Sequence, residues 1–365
     1  MRSKRILIDG REFVPGRKTG IGRFLEGLTF ALLEADFINE VSIAICHKES
    51  LPAKLENHPK IRIEEMPLNQ LGSERALSSL SGRDFDLFLS PYPKLPILGT
   101  ACIAINTVHD ILDLTHPLYR QRMKALFDAL RMRLAMKVAS LTWFDSLWSF
   151  NETRNYIRSQ NGFNARIRHL AIDEKFEPSN RETDMQVLQK YGLKPGYILI
   201  IGNGYPHKNL GVLLKLKDQL KNPLLFVGTK QEQKTYWQTH YDCTGVTWVN
   251  HAEEEDLPAI IRSSFCLAQP SLVEGYGYPP LEAMASGVPA VVSDIPVLLE
   301  TTGGNALVAD PNDSDSWLQS FTRLEGEEKR IDCIKSGLKW VDPLRGSKGW
   351  SKHMSDVKEL ITSKK

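Results

Sequence analysis

Two glutamates separated by seven residues, Glu274 and Glu282, carry the clearest chemistry in the chain. They lie in PSLVEGYGYPPLEAMASGVPAVVSD, between the strand-like runs FCLAQ and VPAVVS. Glu274 opens a turn with Gly275, Tyr276 and Gly277. Pro279 and Pro280 suit the first turn of a helix and so place Glu282 near its N-terminus. Carboxylates repel phosphate but accept hydrogen bonds from hydroxyls, and both a ribose and a pyranose offer hydroxyl pairs. Upstream, YILIIGNGYPHKNL reads as strand, glycine turn and helix. Gly202 and Gly204 permit close backbone approach. Lys208 sets a cation at the helix start, which opposes the helix dipole unless an anion neutralises both. His207 reads as a loop residue, and Asn209 suits a helix cap or a ligand contact. A phosphate site beside two hydroxyl-binding carboxylates reads as recognition of a sugar nucleotide. The bland alternative, one capping and one surface glutamate, leaves the glycines, prolines and flanking strands unexplained.

These residues need strand ends to hold them, and the chain supplies many. Strands are predicted at Arg5–Asp9, Val41–Cys46, Phe85–Ser90, Ala101–Val108, Leu141–Phe144 and Arg166–Ile172. A second group follows at Tyr197–Gly202, Pro223–Gly228, Gly245–Asn250, Phe265–Gln269, Val288–Ser293 and Asn305–Ala309. Several are continuously apolar, as strands covered on both faces are. Helical patterns over 20–35, 117–137, 208–220, 253–262, 279–286 and 313–323 alternate with them. This order predicts an α/β fold of two doubly wound, Rossmann-like domains that bind ligands at the carboxyl ends of their strands, with two facing sheets making an interdomain cleft. The polar stretch Asp173–Lys194 connects the groups. The expected division is 1–175, 176–342 and a terminal helix, 343–365, that needs a partner surface.

The segment from Glu274 to Pro289 resembles the Glu-x7-Glu motif, small-residue helix and Gly-x-Pro strand of the retaining GT-B glycosyltransferases of family 4. The segment ending in Lys208 and Asn209 resembles the second motif of that family. The resemblance extends over nearly the whole chain. It implies an acceptor site in the first domain, a nucleotide-sugar donor site in the second, and a C-terminal helix crossing back to the first domain. It also implies retention at the anomeric carbon and no metal or other cofactor. Glu274 would hold donor-sugar hydroxyls, Glu282 the ribose, and Lys208 the diphosphate, beside Gly202, Asn203, Gly275, Tyr276 and Gly277. TGIGRFLEGL resembles the family's first glycine turn, with Gly20, Gly22 and Arg23 approaching donor diphosphate or acceptor. The third glycine of a dinucleotide fingerprint would fall at Leu25, so a nicotinamide enzyme is disfavoured. INTVHDILDLTHP resembles the His-Asp turn of family-4 mannosyl- and related hexosyltransferases, which implies His109 beside the transferred sugar. Asp110 would orient His109 or cap the next helix. One departure is Asn203, where many members carry Arg. The expected activity is transfer of a hexose, mannose from GDP-mannose, to a glycan or lipid-linked glycan acceptor in surface polysaccharide (lipopolysaccharide) assembly. The competing expectations are a glycoside hydrolase using Glu274 and Glu282, and a non-catalytic partner subunit.

Composition narrows the partners. The chain has 46 basic and 44 acidic residues in 365, a net charge of +2, so no global field marks a nucleic-acid binder. Cys46, Cys102, Cys243, Cys266 and Cys333 are scattered, as in a reduced, cytoplasmic chain. No run of about 18 apolar residues is present to span a membrane. Asp84–Asp86 leads into a strand and Asp313–Asp315 opens a helix, so neither pair reads as a metal site. The 117–137 pattern stands apart. Arg120, Arg122, Lys124, Arg131, Arg133 and Lys137 accompany the single acid Asp128, while Leu118, Met123, Leu126, Phe127, Leu130, Leu134 and Met136 form an apolar side. Two readings are open: contact with an anionic membrane at the inner face, or a core-packing helix with a solvated basic face.

Overall fold

The computed structural model describes residues 4–16, 19–82, 85–117, 120, 122–158, 162–179 and 182–363. The chain divides into two compact units, Met1–Ala171 with Ser347–Lys365, and Ile172–Gly346. These boundaries fall a few residues from the expected ones.

Among the described residues the first unit holds seven parallel strands: β1 Arg5–Asp9, β2 Glu40–Ile45, β3 Ile61–Glu65, β4 Leu87–Ser90, β5 Ile103–Val108, β6 Leu141–Phe144 and β7 Ala165–Ile167. Their order is β3-β2-β1-β4-β5-β6-β7. The second unit holds β8 Ile198–Ile201, β9 Leu224–Val227, β10 Thr247–Val249, β11 Cys266–Gln269, β12 Ala290–Ser293 and β13 Leu307–Ala309, in the order β10-β9-β8-β11-β12-β13. Every pairing between strands is parallel, and the strand order reverses at β1/β4 and again at β8/β11. Loops leaving neighbouring strands part in opposite directions there and open a crevice above the carboxyl ends.

β3 was not predicted. Its sequence, KIRIEEM around Ile61–Glu65, mixes charge with apolar residues because the strand lies at the sheet edge and only Ile61 is buried. β7 stops at Ile167 rather than Ile172. Beyond it Arg168 turns its guanidinium onto Asp356, at 2.7 Å from each carboxylate oxygen.

That contact anchors the terminal helix, Gly346–Thr362, to the first unit. Asp356 is 1% exposed and also accepts from Trp143 Nε1 at 2.9 Å and from Arg166. Trp350 packs 5.6 Å from the Phe24 ring, over Gly27, where a Cβ would lie 2.7 Å from Trp350 Cζ2. His353, 1% exposed, lies edge-on to Trp143 at 4.8 Å, and neither ring nitrogen has a hydrogen-bond partner. Burial first, then Arg168, lowers its pKa to about 3.

The helix Arg122–Val138 is apolar on two opposite faces. Its buried face is Ala125, Met132, Ala135 and Met136, with Arg131, whereas Met123, Leu126, Phe127, Leu130 and Leu134 are exposed. The expected apolar side is therefore the solvent side except at Met136, and Arg131 of the expected basic face is inside. Leu118 lies outside the described residues. No helix among the described residues is long and apolar enough to cross a membrane.

Two outcomes are expected. Asp356→Ala leaves Arg168 without its buried partner, so urea unfolding should report a loss of about 3–5 kcal/mol. His353 titrates lower in the folded chain than the ordinary 6.5. Its stabilising contribution is therefore present above that value and lost as pH falls toward 3. Below pH 6 stability should decline by about 1.4 kcal/mol per unit from this group alone, and His353→Leu should flatten that slope in thermal melts.

Candidate functional site

In the second unit the candidate residues gather at the β8/β11 reversal. After β8 the chain turns through Gly202, Asn203 and Gly204 into a single 3-10 turn, Pro206–Lys208. Gly204 has φ +74°, and a Cβ there would lie 2.5 Å from Thr229 Cγ2, so the turn requires glycine. Its carbonyl accepts from Trp237 Nε1 at 2.7 Å. Asn203 closes the turn with its own side chain, Oδ1 accepting from Tyr205 N at 3.2 Å. Lys208 ends the 3-10 turn rather than starting a helix. Its stem passes over Gly202, with Cε 3.5 Å from where a Cβ would lie. Asn209, in the left-handed region at φ 53°, makes no side-chain cap. Its Nδ2 instead donates to the carbonyls of Pro270 at 3.1 Å and Pro311 at 2.7 Å, tying the β8 turn to the chain after β11 and β13.

Across the reversal stands Glu274. Lys208 Nζ donates to its Oε1 at 2.7 Å, Ser271 Oγ donates to the same oxygen at 2.6 Å, and Gln269 Nε2 joins them. Burial alone would raise the Glu274 carboxyl, but Lys208 and Ser271 outweigh it and hold it below the ordinary carboxylate range. Lys208, Ser271 and Gln269 all donate to Oε1. The cation and carboxylate expected in separate roles are thus one ion pair, both members largely buried. Gly275, Tyr276 and Gly277 carry the chain from Glu274 into the helix Tyr278–Ala285. Gly277 has φ +91°, and a Cβ would lie 2.6 Å from Leu298 Cδ2. Glu282 is buried in the second turn of that helix, one residue further from its start than expected.

Two further groups at this end of the sheet escaped the sequence reading. His207 is buried, and its carbonyl accepts from Leu272 N at 2.8 Å, joining the β8 turn to the segment after β11. Lys230, just after β9, donates from its backbone N to the Asn203 carbonyl at 3.2 Å. Its Nζ donates to Tyr205 Oη at 3.1 Å. A cation therefore reaches the β8 turn from the neighbouring strand, although position 203 itself is neutral. The signal was the repetition of strand, glycine and cation in LLFVGTK.

In the first unit Gly20 and Gly22 lie in the first turn of the helix Gly20–Glu34, capped by Thr19 Oγ1 accepting from Gly22 N at 3.0 Å. Neither has positive φ, and a Cβ on Gly20 would meet nothing within 4 Å. The fold does not require glycine there, so the open backbone is available for something else. Arg23 follows in the same turn, its N–H donating to the Thr19 carbonyl. Glu12 accepts from Thr19 Oγ1 and from Tyr92 Oη, the latter at 2.8 Å, and so joins the chain after β1 to that after β4.

His109 follows β5. Its Nδ1 lies 2.5 Å from Asp145 Oδ2, and its Nε2 lies 3.1 Å from the Pro91 carbonyl. Pro91 follows β4 and Asp145 follows β6, so three adjacent strand ends enclose the ring, with Phe24 edge-on at 4.9 Å. An imidazole facing two acceptor oxygens satisfies both only as imidazolium. Burial opposes that charge, but Asp145 and then Asp110 outweigh it, and the His109 pKa is raised. The orienting carboxylate is Asp145, which the sequence reading missed. Asp110 serves the following helix, accepting from Leu112 N at 2.9 Å.

Among the described residues no group of three or more His, Cys, Asp or Glu side chains is placed to hold a metal ion. Asp313 caps the helix Ser314–Glu325, accepting from Asp315 N at 3.0 Å, and Asp86 pairs with Lys4 at 2.8 Å. Asp84 lies outside the described residues.

Comparison with known proteins adds three facts. Residues 180–340 match the family described as glycosyl transferases group 1. Over 332 residues the chain is 29% identical to the O-antigen chain mannosyltransferase B of Escherichia coli, covering 82% of this chain and 84% of that protein. Among solved structures it resembles the sucrose-phosphate synthase of Thermosynechococcus elongatus (TM-score 0.78, 16% identity, all of both chains). It also resembles HepE of Anabaena, solved with UDP-glucose (TM-score 0.75, 15% identity, 98% of this chain and 99% of that one). These neighbours establish the GT-B fold.

The His109 ring is expected to titrate above the ordinary histidine range. Asp145→Asn removes the opposing charge and should lower its pKa markedly, read by NMR titration of the ring protons; an unchanged titration would show that Asp145 does not hold the charge.

Proposed function

The chain is a glycosyltransferase with a group 1 domain over residues 180–340, and we propose that it moves mannose from GDP-mannose, with retention, to a glycan or lipid-linked glycan in surface polysaccharide assembly. The observation that carries this reading is the Lys208–Glu274 pair at the β8/β11 reversal, within the matched segment. The similarity to an O-antigen mannosyltransferase over most of the chain supports the choice of sugar and pathway.

A nucleoside diphosphate leaves as negative charge accumulates on its β-phosphate, while the sugar approaches an oxocarbenium ion. Fixed positive groups aimed at the leaving group lower that barrier. Lys208 Nζ, held at a set height by Glu274, meets this need, and Lys230 brings a second cation to the same turn from the chain after β9. With its protein donors on Oε1, Glu274 turns Oε2 to a hydroxyl of the donor sugar. Glu282 accepts from the ribose. In the first unit Arg23 supplies a cation, and His109 acts by orienting its ring rather than as a free base, since both nitrogens already face acceptors. Catalysis rests on placement and charge, with no metal or cofactor assigned a step. In this reading the protein works from the cytoplasmic side, in peripheral contact with an anionic membrane through the 117–137 segment and without nucleic acid.

A retaining hydrolase also uses two carboxyls, but the match to the glycosyl transferases group 1 family and the similarity to an O-antigen mannosyltransferase support transfer instead. The binding-subunit reading rested on the neutral residue at 203, and Lys230, reaching that turn from the chain after β9, supplies a cation there.

Calorimetry should show GDP bound more tightly than UDP; the reverse order contradicts the mannosyl reading. Lys208→Ala should lower kcat by about 10²–10³-fold. Glu274→Gln should lose transfer while keeping nucleotide binding, and Glu282→Gln should weaken nucleotide binding by about tenfold, as loss of a charged hydrogen bond does.

A further inference from the structure

The helix Arg122–Val138 presents its larger apolar side chains to solvent. Met123, Leu126, Phe127, Leu130, Leu134 and Val138 recur at helical spacing and form one outer stripe, with Met123 81% and Leu126 69% exposed. The reason lies on the inner side. Arg131 is buried, and its guanidinium donates to Glu74 Oε2 at 2.8 Å and to the Leu95 carbonyl at 3.0 Å. Glu74 is itself buried in the helix Gln70–Leu80, where it also accepts from Ile97 N at 3.0 Å and from Arg11 at 3.0 Å. Arg11 continues to Asp9 at the end of β1, at 2.7 Å. Rolling the helix to bury its outer stripe would tear a buried cation from a buried carboxylate, which costs several kcal/mol. The stripe is therefore locked outward.

Exposed cations border it. Helical geometry puts Lys124 on one flank and Arg133 and Lys137 on the other, all exposed, and Asp128 is the one acid of the helix. The segments that Glu74 ties to this helix carry more exposed apolar side chains: Leu71 in its own helix, and Ile97 and Leu98, the latter 71% exposed. An apolar patch of this extent rimmed by like charge marks an interaction surface. A second copy of the chain fits poorly, because a two-fold contact brings each cation against a like-charged rim. An anionic bilayer satisfies both features: apolar residues enter the acyl boundary and cations meet the headgroups.

We propose that this face, the outer stripe of Arg122–Val138 with Leu71, Ile97 and Leu98, is a rigid docking surface for an anionic lipid bilayer, the helix lying in the plane of the interface. The proposal deepens the membrane contact suggested above by naming its residues and the lock that exposes them, and it does not depend on which sugar is transferred.

The test is sedimentation of the full chain with phosphatidylcholine vesicles, with and without phosphatidylglycerol, in the absence of donor. Binding should require phosphatidylglycerol and weaken with salt. Leu126→Glu with Leu130→Glu should abolish it without lowering the melting temperature. Lys124→Gln, Arg133→Gln and Lys137→Gln together should weaken it by about 100-fold, each cation being worth about fivefold. Wild-type protein remaining in the supernatant, or Leu126→Glu with Leu130→Glu binding as tightly as wild type, would overturn the proposal. So would a concentration-dependent dimer, lost in that double variant, without vesicle binding. Since sedimentation needs no transfer, its failure leaves the enzymatic reading standing, and failure of transfer leaves the docking face standing.

Discussion

The ion pair between Lys208 and Glu274 organises the second unit. It closes across the one place in the sheet where neighbouring strands send their loops in opposite directions, so it joins two segments that the backbone ladder does not. Such a pair is weak evidence for stability, because two desolvated charges roughly cancel their mutual attraction. Its value is positional. Ser271 and Gln269 hold the carboxylate, Asn209 and the His207 carbonyl hold the turn, and Gly204 and Gly277 supply backbone conformations that only glycine adopts without strain. A lysine that would otherwise sample many rotamers is left with its charge at one point.

The first unit repeats the device with different residues. His109 is gripped from the ends of β4 and β6 while itself following β5, so three adjacent strands hold one imidazole ring. Arg131, Glu74, Arg11 and Asp9 form a second buried chain of alternating charge, leading from the solvent-facing helix to the end of β1. In both units the polar groups that look costly are those that fix strand-end geometry. The terminal helix follows the same logic: Asp356 ties a segment more than 180 residues away in sequence to Trp143 and Arg168.

Most of the scaffold was legible because parallel strands buried on both faces leave continuous apolar runs. β1 and β6 were located to the residue, β2 and β7 begin one residue earlier than predicted, and the other predicted strands were trimmed at their ends. The edge strand β3 escaped because half-exposed strands lose that signature. Glu274, Glu282 and Lys208 were legible through glycine and proline punctuation, which marks where chain leaves strand. What sequence could not supply was pairing. Nothing in the spacing says that Lys208 meets Glu274, or that Asp145 rather than the adjacent Asp110 holds His109. Contacts between strand ends depend on sheet order, and sheet order was not read. The helix at 122–138 misled for a related reason: apolar residues recur on two of its faces, and only the Arg131–Glu74 contact decides which face is inside.

The account's central claim is that Lys208 and Glu274 act as one unit on the donor. A double-mutant cycle on kcat/KM, comparing Lys208→Ala, Glu274→Gln and both together, tests it directly. Strong non-additivity is expected, the double variant being little worse than either single one. Fully additive losses would show two independent residues and contradict the account.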